Sequence, residues 1–379
     1  MKAIHLSDLH LGKRVNEFSM TDDQKHVLKE ILRIIREEKP DAVFIAGDVY
    51  DKSVPPTEAV MLFDDFLTDL AGMKVQTFVI SGNHDSPERI AFGGRLMDLS
   101  GIHMSPVYSG REEPIPLRDA WGTVWVHMLP FVRPANIRDR WPGESAGSWT
   151  EALRTAIGHM HIRPGERNVL IAHQFVTGAA RSDSEDVSVG GADNVDASVF
   201  APFDYVALGH IHGPQNIEGD KRIRYCGTPL KYSFSEKDHV KSVTVVELTD
   251  RDLTVRTVPL TPVHDLREIR GTYGHLAMRS AYEGTAKDDY LRIILEDEEE
   301  VPDAVAKLRT IYPNLMKLEY DNARTRSAAW IAEAVEAEEK SGIELFGEMY
   351  ESQNGQPMSE TQRQFALHLL QELEEEAAE

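Results

Sequence analysis

The chain is 379 residues long and carries 63 Asp plus Glu against 41 Lys plus Arg, a net charge of −22. That balance excludes a cationic surface spread over the whole molecule, the usual footprint of a protein that grips a polyanion unaided. A single cysteine, Cys226, excludes an internal disulfide and reads as a small buried apolar residue, and no apolar run approaches the roughly 18 residues that span a bilayer, so a cytoplasmic protein of two or three domains is expected.

In chain order, residues 3–6 form an apolar strand that runs into Ser7-Asp8-Leu9-His10. Thr21-Asp22-Asp23-Gln24 has the form of a capping box, opening a helix with the stripe Val27, Leu28, Ile31, Leu32 and Ile35 that Pro40 ends. A second strand, residues 42–46, delivers Gly47-Asp48-Val49-Tyr50-Asp51, and residues 57–70 repeat the helical pattern with Val60, Phe63, Phe66, Leu67 and Leu70. The run 75–80 ends in Ser81-Gly82-Asn83-His84-Asp85, after which Ser86 offers an N-cap with Pro87 at the first helical position. Residues 111–147, with Trp121, Trp125, Phe131 and Trp141, and residues 177–194 read as insertions of the kind that line substrate grooves. Strand 169–172 ends at His173, and strand 205–208 at Gly209-His210-Ile211-His212. Strands at 124–128, 222–226 and 242–248, without helices between them, are expected to add a second sheet.

Five apolar strands therefore end in ligand-type residues. Residues two apart on a strand share a face, so Asp8 and His10 can converge on one point, as can His210 and His212. The pooled donors are Asp8, His10, Asp48, Asn83, His173, His210 and His212. Carboxylate, amide oxygen and imidazole without thiolate suit Mn²⁺, Fe or Zn²⁺ and argue against structural zinc. Seven donors exceed what one catalytic ion needs and suit two ions about 3.5 Å apart, bridged by a carboxylate, the arrangement that clamps both oxygens of a phosphoryl displacement.

Asp-x-His, Gly-Asp-x-x-Asp, Gly-Asn-His-Asp, a lone His and Gly-His-x-His, in that order over residues 1–240, resemble the calcineurin-like metallophosphoesterase superfamily. Gly227-Thr228-Pro229-Leu230 followed by Tyr232-Ser233-Phe234-Ser235-Glu236 is similar to a segment of the SbcD nuclease subunits, bacterial counterparts of the double-strand-break repair nucleases. The resemblance implies a four-layer α/β/β/α sandwich over residues 1–262, a small α+β capping domain over 263–325 and a C-terminal helical hairpin over 326–379. It implies that Asp8, His10, Asp48 and His212 hold one Mn²⁺ and Asp48, Asn83, His173 and His210 the other. His84 would protonate the leaving oxygen or stabilise the transition state, with Asp51 holding its tautomer. Archaeal relatives commonly have a histidine where this chain has Asp51, so a direct DNA contact there is not carried over. The implied activity is double-strand 3′–5′ exonuclease and hairpin endonuclease action on DNA, in a homodimer within a heterotetramer with the SbcC ATPase subunit; the alternative is a stand-alone phosphoesterase for small phosphodiesters or phosphoproteins.

From residue 261 the pattern changes. Strand-like runs 266–270 and 290–295, a helix from near Pro302 and a strand at 315–320 make a small α+β unit. Beyond it, Ile343, Phe346, Met349 and Tyr350, then Phe365, Leu369, Leu370 and Leu373 after the capping box Ser359-Glu360-Thr361-Gln362, give two amphipathic helices whose apolar sides suit a partner surface. Residues 296–379 hold 21 acids against 7 bases, which leaves the first 295 residues at −8. Two local basic clusters remain, Arg133, Arg138 and Arg140, and Lys221, Arg222 and Arg224. A partner is expected to supply much of the grip on DNA.

Overall fold

Alternation along the strands decides the layering, since each strand offers one apolar face to helices and the other to a second sheet. The computed structural model describes residues 1–185, 193–250, 252–325, 346–347, 350, 357–359 and 362–366. One six-stranded sheet runs in the order Leu253–Pro259, Ser242–Leu248, Lys2–Leu6, Ala42–Ala46, Gln76–Ile80, Ile102–Met104, its last four strands parallel. The other runs Gln215–Ile217, Asp220–Tyr225, Tyr205–Gly209, Arg167–His173, Gly122–Leu129, Ile115–Asp119, with its four central strands parallel. Ala3, Phe44, Phe78 and Ile80 of the first sheet share one buried cluster with Val126, Ile171, Tyr205 and Ala207 of the second. On the outer faces, Ile4, Val43, Ile45 and Val79 cluster with residues of the helices Thr21–Glu38 and Thr57–Gly72, and Leu170, Ala172, Val206 and Leu208 with those of Pro134–Arg140 and Trp149–Gly158. The four-layer α/β/β/α sandwich is the result.

Three local expectations are corrected. Ser242–Leu248 joins the first sheet, antiparallel to Lys2–Leu6, because its alternate residues Val243 and Val245 meet the helices while Val246 faces the second sheet. The helix at Thr21 has Met20 as its N-cap and no side-chain cap, because Gln24 is turned inward to bond the loop that carries His10. Val60, assigned to the buried stripe of the second helix, is exposed. Ser86 does cap Pro87–Ile90, accepting from the Arg89 N–H at 3.4 Å.

The chain forms two compact units. One comprises Met1–Glu268, Ala286–Arg292 and Tyr312–Lys317; the other comprises Ile269–Thr285, Ile293–Ile311 and the described residues from Leu318 onward. The strands Leu266–Gly271, Tyr290–Leu295 and Leu315–Tyr320 pair in that order, with the short helix Ala304–Arg309 between the last two. Of the expected tail helices, Ile343, Met349, Leu369, Leu370 and Leu373 lie outside the described residues. Ser359 and Gln362 do make the two reciprocal bonds of a capping box, and Phe365 is exposed.

At the far side of the second sheet Arg167 grips Asp119 with two bonds, Nη2 to Oδ1 at 2.6 Å and Nη1 to Oδ2 at 2.9 Å. The Arg167 guanidinium holds the Asp119 carboxyl well below the usual carboxylate range, against the opposing effect of its partial burial. A depressed folded value means that the pair stabilises above the unfolded pKa of about 4 and is lost as pH falls through the folded value. Asp119→Asn is therefore expected to lower the melting temperature at pH 7, with the gap to the parent closing in acid; a gap independent of pH between 7 and 2 would refute the assignment.

Candidate metal centre

Parallel strands in two face-to-face sheets end at the same edge, and that is where the seven donors meet. Gly209 and His173 are register partners, as are Ala46 and Ile80, so His210, His173, Asp48 and Asn83 leave their strands at the same level. The loops then zip together: Asp8 N–H donates to Gly47 O at 3.0 Å, His10 N–H to Asp48 O at 3.0 Å and Leu11 N–H to Val49 O at 2.9 Å. Asp8, His10, Asp48 and His210 all have positive φ, between 43° and 103°, a conformation that side-chain-bearing residues rarely adopt and that clusters at functional sites. Gly82 and Gly209 are required by close approach, because a Cβ at the first would strike the Asp48 carboxylate and at the second the Ala46 carbonyl.

Three groups of side chains place their ligand atoms within 4.8 Å of one another: Asp8, His10 and His212; His10, Asp48 and His84; Asp8, Asp48 and His173. Asn83 Oδ1 joins them, 3.0 Å from His173 Nε2 and 2.9 Å from His210 Nδ1. All seven predicted donors are thus brought together. His84 is also there, its ring centroid 4.9 Å from that of His10 and its Nε2 3.9 Å from Asp48 Oδ2. Asp51 reaches His84 through its main-chain oxygen, 3.1 Å from Nδ1, while its carboxylate accepts from Lys13 Nζ at 2.7 Å and lies 3.8 Å from His10 Nδ1.

The hydrogen-bond chemistry of the cluster fits divalent cations. His173 donates its Nδ1 proton to the Ala46 carbonyl at 2.8 Å, which leaves Nε2 facing two acceptors, Asn83 Oδ1 and, at 3.3 Å, Asp48 Oδ2. His10 and His212 turn their Nε2 atoms toward each other at 3.2 Å, and His10 Nδ1 is buried with no hydrogen-bond partner among the described residues. Such a concentration of lone pairs is stable only if protons or cations lie between them. Without a cation, protons take that place: burial alone would lower the His173 imidazolium, but Asp48 and Asp8 beside it push its pKa up to about 9. Burial raises the Asp8 carboxyl to about 6 and drives His210 down to about 3.

Several residues that hold the donors escaped the sequence. Asp85 accepts three main-chain N–H groups, from Gly82 at 3.0 Å, Val49 at 3.1 Å and Tyr50 at 2.9 Å, and so clamps the Asp48 and Asn83 loops together. Gln24 and Tyr232 bind the main chain of the His10 loop, at His10 O (2.7 Å) and Leu9 O (2.7 Å). Ser184, Glu185, Glu236 and Lys241 surround His212. For Tyr232 and Glu236 a signal exists in the Gly227 to Glu236 segment, and for Asp85 in the Gly-Asn-His-Asp motif that it closes, both marked only as a resemblance and without a role; for Gln24 and Ser184 there is none beyond their residue type.

The candidate DNA-contacting residues divide. Phe131 stands at the centre, 6.2 Å from the His173 ring, with Arg133 over its face at 5.8 Å. Trp141 is stacked on His159 at 3.6 Å and donates to Tyr108, a packing role. Lys221, Arg222 and Arg224 bond Leu253 O, Asp220 and Asn216, so that cluster is engaged within the fold.

A family model described as calcineurin-like phosphoesterase matches residues 1–214. The chain belongs to the calcineurin-like phosphoesterase family. A second model, described as type 5 capsule protein repressor C-terminal domain, matches residues 262–354 of this phosphoesterase. Among relatives, the SbcD subunit of the nuclease SbcCD from Staphylococcus saprophyticus is 32% identical over 322 residues, 84% of either chain. The protein of the same name from Staphylococcus epidermidis is 30% identical over 378 residues, 98% of either chain. A solved dimetal phosphatase from Danio rerio is 12% identical at a TM-score of 0.40, covering 69% of this chain and 98% of its own. As a family member the chain is a phosphoester hydrolase with a divalent-metal centre. Among the described residues no helix is long and apolar enough to cross a membrane.

Proposed function

We propose that this phosphoesterase is the nuclease subunit of a DNA-processing complex, a Mn²⁺-dependent double-strand 3′–5′ exonuclease and hairpin endonuclease acting in the cytoplasm in DNA repair, recombination and replication. The observation that carries this reading is the convergence of donors from five strand ends in a chain that is similar over 84% and 98% of its length to proteins named as nuclease subunits. Asp8, His10, Asp48 and His212 would hold one ion and Asp48, Asn83, His173 and His210 the other. When bound, such a pair activates water and neutralises charge on the phosphoryl oxygens. His84 gives a proton to the leaving oxygen, and the Asp51 carbonyl accepts from its Nδ1–H so that Nε2 is the working nitrogen. Phe131 and Arg133 flank the entry on the His173 side.

Residues 263–325 are proposed to restrict DNA entry and residues 326–379 to dock on the ATPase partner, SbcC, which supplies the missing basic surface. Exposed Val60, Met61, Phe92 (81%), Leu96 (75%) and Leu99 (86%), on consecutive crossovers of the first sheet, support a homodimer. Purified protein with SbcC and ATP is expected to degrade a 3′-labelled hairpin in Mn²⁺; cleavage of a small phosphodiester but never of DNA would overturn the nuclease reading in favour of a stand-alone phosphoesterase. Truncation after residue 326 is expected to leave metal uptake intact and abolish co-purification with the ATPase, and a truncated chain that still co-purifies would remove the docking role from the tail.

A further inference from the structure

Every polar atom of His212 except Nε2 is held by segments outside the strand-end motifs. Its main-chain N–H donates to Glu185 Oε1 at 2.7 Å. Its carbonyl accepts from Lys241 Nζ at 2.9 Å and from the Thr228 N–H at 3.2 Å. Its ring Nδ1 lies 2.6 Å from Ser184 Oγ. A serine hydroxyl has one proton, and Ser184 donates it to Glu236 Oε1 at 2.5 Å. Ser184 can then only accept from His212, so Nδ1 carries the ring proton and Nε2 presents its lone pair to Asp8 and His10. Ser182 Oγ, 2.9 Å from Ser184 Oγ, donates to its other lone pair.

Glu236 is wholly buried, accepts from the Tyr232 N–H at 3.2 Å and is paired with Lys241, whose side chain is 4% exposed. A buried carboxylate and ammonium are stable only when each satisfies the other, and here both ends of the pair bear on one histidine: Glu236 through Ser184 on the ring, Lys241 on the carbonyl. Asp183 N–H donates to Ser235 Oγ at 2.9 Å, tying the segment that brings Ser184 and Glu185 to the one that brings Glu236.

We propose that Ser184 and Glu236, with Lys241 as counter-charge, are positioning residues that lock the tautomer and orientation of His212 and thereby set the affinity of the metal ion held by Asp8, His10, Asp48 and His212. This rests on the two-ion reading above. It makes the stretch from Ser182 to Glu185 part of the support of the metal centre. Outer partners of a ligating histidine commonly change metal affinity 10–100-fold when removed.

The test is a titration of chelator-stripped full-length protein with Mn²⁺, followed by calorimetry and low-temperature EPR, together with ¹⁵N NMR of the histidine rings before metal is added. The parent is expected to take up two ions and to show His212 protonated at Nδ1. Ser184→Ala is expected to bind one ion as the parent does and the other about 10–100-fold more weakly, with His212 no longer fixed in the Nδ1–H form; Ser184→Thr, which keeps the hydroxyl, should restore both. Glu236→Gln should act in the same direction, and because it strands Lys241 and can fail to fold, Ser184→Ala is the deciding variant. Parent-like affinity for both ions in Ser184→Ala, or equal weakening of both, would overturn the relay. A parent that takes up no Mn²⁺ would overturn the metal reading itself.

Discussion

His84→Gln protein is expected to keep both ions and to lose cleavage by a factor on the order of 10² or more, the usual worth of a positioned general acid. The reasoning starts from where the strand leaves the residue. Asn83 turns into the donor cluster while His84, next in the chain, has its main-chain N–H tied to Asp48 Oδ1 at 2.9 Å and its Nδ1 against the Asp51 carbonyl. Nε2 is thereby directed along the mouth, 3.9 Å from Asp48 Oδ2, on a side chain that is 19% exposed while His10, His173 and His212 are sealed. That exposure is what a residue meeting substrate needs and a buried ligand does not. Glutamine keeps a polar group of similar reach but has no ionisable proton to give. Mn²⁺ stoichiometry measured beside the rate separates the two roles, and loss of one ion in the variant would make His84 a ligand, a geometry its place in the group with His10 and Asp48 also permits.

Asp85→Ala is expected to have the largest effect on the fold. Its carboxylate is the acceptor for the N–H groups of Gly82, Val49 and Tyr50, and each buried N–H left unmet costs about 1–3 kcal/mol. Three together amount to about 3 kcal/mol or more, a large share of the roughly 5–15 kcal/mol by which domains are stable. The melting temperature of metal-free protein should fall by about 6 °C or more, and Mn²⁺ uptake should fail, because the loops bearing Asp48 and Asn83 are no longer held at one spacing. Asp85→Asn keeps one acceptor oxygen but turns a donor toward another donor, and should lie between. An alanine variant melting within about 2 °C of the parent would refute the clamp.

Much of the centre was legible because its signal is local. A strand of Ala42–Ala46 type that stops at Gly47 and exposes Asp48 can be read from five consecutive residues, and the same holds at His10, Asn83, His173 and His210. Strand polarity was legible too, since helices between the early strands force parallel crossovers and parallel strands end at a common edge. The partners of those donors were not legible. Gln24 looked like half of a capping box, yet it lies opposite the His10 loop and its amide is worth more there than at the exposed helix end. Val60 fell on the predicted stripe and is solvent-facing, because the apolar arc of that helix is wider than the face the sheet covers. Ser242–Leu248 read as part of the second sheet, but a β-run carries no mark of which neighbour it will pair with.

Residue type and spacing along the chain were enough to establish which atoms could bind metal and at which strand tips they would emerge. The folded arrangement alone determined how they are aimed: the left-handed turns at Asp8, His10, Asp48 and His210, the Asp85 clamp, and the grip of Ser184 and Lys241 on His212. The reason is that donors advertise themselves by their own chemistry, whereas the groups that orient them are ordinary serines, glutamines and carboxylates whose meaning comes only from residues up to 223 positions away, as between Leu9 and Tyr232.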